Sequence, residues 1–143
     1  MARIRIALPD LFQFETSIPV RITDLNYGGH VGNDTVLSII HEARMRFLHS
    51  YGYTEMNFAG VGMIMSDVSI EFKNELFYGD IVKASVSIAE ISKVSFELYY
   101  KLEKEVNGNG VIVAAAKTGM ICYDYEKEKI TSTPGEIKSR FIN

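Results

Sequence analysis

Thr23-Asp24-Leu25-Asn26-Tyr27-Gly28-Gly29-His30-Val31-Gly32-Asn33 runs directly into a segment, Asp34 to Ser50, whose reading decides how the rest of the chain is arranged. The first part is crowded with turn formers: Asp, two Asn and three Gly. The second carries apolar residues at helical spacing, with Val36, Ile40, Ala43 and Phe47 in one stripe and Leu37, Ile40, Arg44 and Leu48 in a neighbouring one. So wide an apolar arc predicts a helix from about Asp34 to Ser50 that is buried on several sides. Asn33 or Asp34 is the expected N-cap and Gly52 the expected stop. A helix start leaves backbone N–H groups unpaired at the positive end of the helix dipole. Loop and helix start therefore make a place where developing negative charge can be held.

Upstream, Phe12 to Ile22 alternates as a strand with Phe14, Thr16, Ile18, Val20 and Ile22 on one face, and Pro19 points to an edge or irregular position. Downstream the period becomes two. Gly62 to Lys73, Asp80 to Ile91, Val94 to Glu105 and Val111 to Tyr125 read as four strands, the second and third with Val82, Ala84, Val86, Ile88 and Phe96, Leu98, Tyr100, Leu102 inward. Asn74 to Gly79 and Glu126 to Lys129 read as turns, and Asn107-Gly108-Asn109-Gly110 is a strong hairpin signal. Pro134 to Phe141 is compatible with a short terminal helix. The order is strand, long helix, four antiparallel strands. One helix can cover one face of a sheet that curls around it. The other face and the sheet edge remain to be covered, which favours association between subunits.

The chain has 143 residues, 47% of them hydrophobic, which suits a single domain over 1–143 with a substantial core. A net charge of −3 gives no reason to expect a nucleic-acid partner. No run approaches the roughly 18 apolar residues of a membrane span, and the N-terminal residues lack a signal-peptide core, so a membrane partner is not expected either. The single Cys122 has no partner for an internal disulfide and fits a buried thiol in a reducing, cytoplasmic setting. One Cys and three His without ligand spacing predict no metal site.

The order of elements, together with Asp24-Leu25-Asn26-Tyr27-Gly28-Gly29-His30-Val31-Gly32-Asn33, Glu42-Ala43-Arg44, Ile70-Glu71-Phe72 and Glu75-Leu76-Phe77-Tyr78-Gly79-Asp80, resembles the hotdog-fold thioesterases and within them the 4-hydroxybenzoyl-CoA thioesterase-like group. The resemblance extends from about Phe12 to Tyr125. It implies an α+β hotdog fold, a curved antiparallel sheet wrapped around one long helix, assembled as a homodimer or homotetramer with sites at the subunit interface. It implies hydrolysis of an acyl-CoA thioester, or one on acyl carrier protein, with no cofactor beyond the coenzyme A of the substrate. Many relatives carry a carboxylate where this chain has Asn26, and several have Asn where Gly28 stands.

Thioester hydrolysis needs an activated water or nucleophile, donors for the oxyanion, and a tunnel for the acyl and pantetheine arms. The expected catalytic residues are Asn26, His30, Asn33 and Asp67. Asn26 cannot act as a base but can orient a water or bond the carbonyl, and its plain alternative is an Asx-turn. His30 could act as a base or as a hydrogen-bond donor to the substrate and is otherwise a loop His bonded to backbone. The N–H of Gly32 or Asn33 faces the oxyanion. Alternation places Met63, Met65 and Asp67 on one strand face, where a buried Asp67 could serve as base; its alternative is a solvent-facing charge or one at a bulge. Asp24 and Glu75 are further candidate bases, each also readable as an ordinary turn residue. Tyr27, Gly29, Gly32 and Met65 are the expected substrate contacts. A hotdog protein that binds acyl-CoA or acyl carrier protein without hydrolysing it is the alternative, favoured by the neutral Asn26.

Overall fold

In the computed structural model, which describes residues 3–141, the elements are β1 (Phe14–Pro19), α1 (Asn33–Ser50), β2 (Gly62–Phe72), β3 (Ile81–Ala89), β4 (Ser95–Val106), β5 (Asn109–Asp124), β6 (Lys129–Ile130) and α2 (Gly135–Arg140). All strand pairs are antiparallel, in the order β1-β3-β4-β5-β2, with β6 against the end of β5. β1 is an edge strand, which is where Pro19 can sit without breaking a ladder.

Alternation drives the packing. Val82, Ala84, Val86 and Ile88 of β3 and Leu98, Tyr100 and Leu102 of β4 have no exposed surface, and neither do Ile40, Ala43 and Phe47 of α1. Each large side chain buried this way contributes about 1.5–3 kcal/mol. Ala84, Ala114 and Ala116 keep the inner face of the sheet shallow enough for the helix to seat against it. The chain thus has the α+β hotdog architecture its element order predicts. The hairpin at Asn107-Gly108 is tight, both residues having positive φ and Val106 pairing directly with Asn109. α1 stops at Gly52, where the Tyr53 N–H returns to the Leu48 carbonyl at 2.8 Å.

Four details differ from expectation. The N-cap is Gly32, with no side-chain cap, because Asn33 and Asp34 already have helical backbone. Ile22 leaves the strand for a 3-10 turn, Ile22–Asp24, and is 66% exposed instead of continuing the buried face. The register of β2 against β5 shifts between Met65 and Asp67. This bulge at Ser66 turns Asp67 to the outer face, away from Met63 and Met65, so the three do not share one side. It forms opposite Gly119, where the Asp67 carboxylate occupies the space a Cβ would need.

The fourth concerns the face of the sheet away from α1, which the chain covers in part with its own N-terminal segment. The Ile6 N–H donates to Glu71 Oε1 at 3.1 Å, Lys101 Nζ stands 5.2 Å above the Phe12 ring, and the Ile88 N–H donates to Gln13 Oε1 at 2.8 Å. Register places Ser85, Lys101, Ala115 and Glu71 in one row across β3, β4, β5 and β2. Under the crossing segment Ser85 and Ala115 are each only 1% exposed.

Candidate active site

The loop before α1 closes on itself as a small hairpin. Leu25 bridges Val31, the Asn26 N–H donates to the His30 carbonyl at 2.9 Å, and the Gly29 N–H donates to the Asn26 carbonyl at 3.1 Å. Gly29 takes φ +83°, a conformation that costs a side-chain-bearing residue strain. His30 and Val31 then pair with Phe77 and Leu76, the Val31 N–H donating to the Leu76 carbonyl at 2.9 Å. The loop is thus held at both ends and presents its polar side chains in a fixed arrangement.

Asn26 is the centre of that arrangement. Its Oδ1 accepts the Gly28 N–H at 2.8 Å, the Asx-turn that is its plain alternative. That bond also orients the amide: Nδ2 is turned toward the start of α1, 3.5 Å from the point where a Cβ on Gly32 would stand. On the other side, His30 Nε2 lies 3.5 Å from the corresponding point on Gly28, and His30 Nδ1 faces the Val31 carbonyl at 3.3 Å. The half-buried imidazole and the amide of Asn26 therefore flank Gly28 together. Gly32, Asn33 and Asp34 begin the helix beside them, with no side chain capping the first turn. The Asp34 carboxylate bends back over Gly32, its Oδ1 2.7 Å from the same Cβ point that Asn26 Nδ2 approaches.

A cavity of about 290 Å³ opens here, with His30, Asn33 and Val36 on one wall and Phe72, Glu75 and Val113 among the residues of the other. Of the expected site residues, the fold gathers Asn26, Tyr27, Gly29, His30, Gly32 and Asn33 at the helix start. Tyr27 projects fully into solvent. Met65 and Asp67 stand elsewhere, on the open edge strand β2; Asp67 is exposed and bonded to the Ser66 hydroxyl at 2.9 Å. Asp24 is buried and shapes the loop, accepting the Arg21 N–H at 2.8 Å and facing the Arg21 guanidinium at 3.3 Å. Asp34, expected only as a possible cap, is a member of the cluster; its signal in the sequence is a carboxylate in the first helical turn two residues after a glycine.

Halfway along α1 lies a second polar group of different character. The buried Arg44 donates through Nε to Glu55 Oε2 at 2.8 Å and through Nη1 to the Tyr100 hydroxyl at 3.3 Å. Tyr100 bonds the Thr118 hydroxyl at 2.8 Å, and His41 Nε2 meets Glu55 Oε1 at 3.0 Å. Burial works against the Arg44 charge, but Tyr100 and Glu55 hold it protonated. Burial alone would raise the Glu55 carboxyl; the hydrogen bonds from His41 and Arg44 outweigh it and hold the group below its ordinary value. Elsewhere, burial raises the Cys122 thiol, which faces Thr133 inside the core.

The loop before α1 thus fixes an amide and an imidazole beside an uncapped helix start, with His30 and Asn33 bordering the cavity. Residues 20–141 match the thioesterase-like superfamily, and the chain belongs to it. It is 30% identical over 121 residues to a 1,4-dihydroxy-2-naphthoyl-CoA hydrolase of Nostoc punctiforme, covering 82% of this chain and 79% of that protein. The fold matches a 1,4-dihydroxy-2-naphthoyl-CoA thioesterase from Synechocystis with a TM-score of 0.78 at 20% identity, over 91% of this chain and 96% of that one. It also matches an aspartate-to-asparagine mutant of 4-hydroxybenzoyl-CoA thioesterase complexed with 4-hydroxybenzoyl-CoA, with a TM-score of 0.80 at 15% identity, over 90% and 97% of the two chains. The expected class, thioester hydrolase, is the class that the superfamily and these relatives define.

Proposed function

We propose that this chain hydrolyses an acyl-CoA thioester to the free acid and coenzyme A. The observation that carries the reading is the Asn26 amide, locked by the Gly28 N–H so that its Nδ2 faces the uncapped start of α1. The thioester carbonyl points at that helix start. As its oxygen becomes an oxyanion, the N–H groups of Gly32 and Asn33 receive it, a single such donor being worth roughly 3–4 kcal/mol of barrier. Asn26 holds the attacking water or the carbonyl. His30 stands across Gly28 as a second polar contact, and Tyr27 and Gly29 border the approach. Met65 and Asp67 enter this reading from the partner of a homodimer or homotetramer, since β2 is an open edge strand with Met65, Val68 and Phe72 each more than a third exposed. A free thiol buried in the core suits the cytoplasm.

Thiol release from a panel of short, long and aromatic acyl-CoAs, followed with Ellman's reagent, tests the reading. Turnover of about 1 s⁻¹ or more on any member supports it and names the acyl class. Silence on all of them defeats it. Tight binding of a CoA ester without release would establish instead the non-hydrolytic reading, which the neutral amide at position 26 specifically favours. Silence in both assays directs attention to acyl carrier protein.

A further inference from the structure

On β4 the residues facing α1 alternate as Phe96, Leu98, Tyr100 and Leu102, all buried, and the next position of that stripe is Lys104. A lysine on the core-facing side of a strand has to find partners for its ammonium or reach water. The Lys104 side chain is only 10% exposed, and its partners lie in one turn, residues 75–80, between β2 and β3. Lys104 Nζ donates to the Glu75 carbonyl at 2.6 Å and to Asp80 Oδ2 at 3.0 Å, and it stands 5.0 Å from the centre of the Phe77 ring. The same Asp80 oxygen accepts the Phe77 N–H at 2.8 Å, so both ends and the middle of the turn are gathered around one ammonium. Among the described residues, no other side chain from outside the turn hydrogen-bonds into it.

That turn is what the loop before α1 rests on. Phe77 bridges His30, the Leu76 carbonyl accepts the Val31 N–H, and Glu75 and Leu76 line the cavity that His30 and Asn33 border. We infer that Lys104 is a positioning residue for thioester hydrolysis: through the turn it sets His30 and the start of α1 against the cavity wall. The inference rests on the hydrolase reading above. Lys104 does not line the cavity, so it acts through the turn and not on the substrate. Backbone bonds hold the flanks, from the Asn74 N–H to the Val113 carbonyl at 3.1 Å and from the Val20 N–H to the Asp80 carbonyl at 2.9 Å. Between those flanks, apart from the buried Leu76 side chain, the turn is fixed by Lys104 and by the loop itself. Without the ammonium, loop and turn still hold each other, but their joint placement against the sheet loosens. A misplacement of about 1 Å in a reacting geometry costs on the order of 100-fold in rate, even when the altered residue is remote from the chemistry.

The test uses the full chain and thiol release from acetyl-CoA, palmitoyl-CoA and benzoyl-CoA. Lys104→Met keeps an unbranched apolar stem and removes the ammonium. On whichever thioester the wild type hydrolyses, Lys104→Met is expected to lower kcat by about 10- to 100-fold while KM stays within about threefold, because substrate contacts remain and their alignment is lost. Amide hydrogen exchange supplies a second readout. Val31 and Phe77 should exchange at least about tenfold faster while Val86 and Leu98 in the sheet are unchanged, the mark of local opening without loss of global stability. Asp80→Asn leaves an acceptor for the Phe77 N–H and removes the charge facing Lys104. It should show the same pattern at smaller amplitude, and it decides the matter if Lys104→Met does not fold. A kcat within about twofold of wild type in Lys104→Met would overturn the assignment and leave the hydrolase reading intact. So would a kcat loss in which Val31, Val86 and Leu98 all exchange faster to the same degree, since that marks general destabilisation. A wild-type chain silent on every thioester defeats the hydrolase reading and the positioning role together.

Discussion

The two polar clusters on α1 use similar residues to opposite ends. At the middle of the helix, Arg44, Glu55, Tyr100, Thr118 and His41 form a continuous set of hydrogen bonds. At the start of the same helix, Asn26 and His30 flank Gly28 and the Asp34 carboxylate lies over Gly32, yet neither that carboxylate nor the Asn26 Nδ2 has a hydrogen-bond partner among the described residues. A set built around the buried Arg44, Tyr100 and Thr118, with every member bonded, fixes structure, and breaking it is costly. An exposed set with unspent donors and acceptors contributes little to stability and is ready for a ligand. Charge alone, read from the sequence, does not separate the two; the difference lies in what each group already touches.

Changes at the middle of the helix should therefore appear in stability, and changes at its start in turnover. Arg44→Ala leaves Glu55 with His41 alone and Tyr100 with Thr118 alone, opens a gap where the buried guanidinium was, and should cost about 3–5 kcal/mol in urea unfolding. Tyr100→Phe keeps the packing but removes the hydroxyl between Arg44 and Thr118; a loss of about 1–3 kcal/mol is expected from the same measurement. A third effect follows from Glu55. A carboxyl held below its ordinary value gives stability that is fully present above its unfolded pKa of about 4.3 and is lost as pH falls through its folded value. Unfolding free energy should therefore decline as pH drops below about 4, and Glu55→Gln should flatten that part of the profile. At the helix start, Asn26→Asp retains the acceptor that closes on Gly28. It should move stability by no more than about 0.5 kcal/mol while keeping or raising turnover. A large stability loss there would show that the start of α1 supports the fold as much as its middle does.

Most of the fold is legible in the sequence because its signals are periodic. β3 and β4 announce themselves by strict alternation, and Asn107-Gly108 announces the turn between β4 and β5. The bulge at Ser66 is harder, since nothing in Met63-Ile64-Met65-Ser66-Asp67 interrupts the alternation. The clue lies on the neighbouring strand, where Gly119 interrupts an otherwise substituted run, and pairing brings it opposite Asp67. The two-residue β6 and the N-terminal segment lack any period to read. At the candidate site, Asn26, His30, Gly32 and Asn33 stand near one another because they are neighbours in one short loop closed on itself before the helix. For Asp34 the sequence shows only a carboxylate in the first helical turn after a glycine; that its side chain bends back over Gly32 is a three-dimensional fact that spacing along a helix does not contain.

The N-terminal segment that crosses the outer face also makes the two surfaces of the sheet experimentally separable. It runs from β3 to β2 on the side away from α1, with Ile4 59% exposed at its far end. A fluorophore placed at Ile4 would therefore sense the outer surface and the β2 margin while the full thickness of the sheet shields it from the helix-side cavity. A second dye at Tyr27 would sense the loop, so one doubly labelled chain could distinguish a binding partner arriving on the outer surface from a thioester entering at the other.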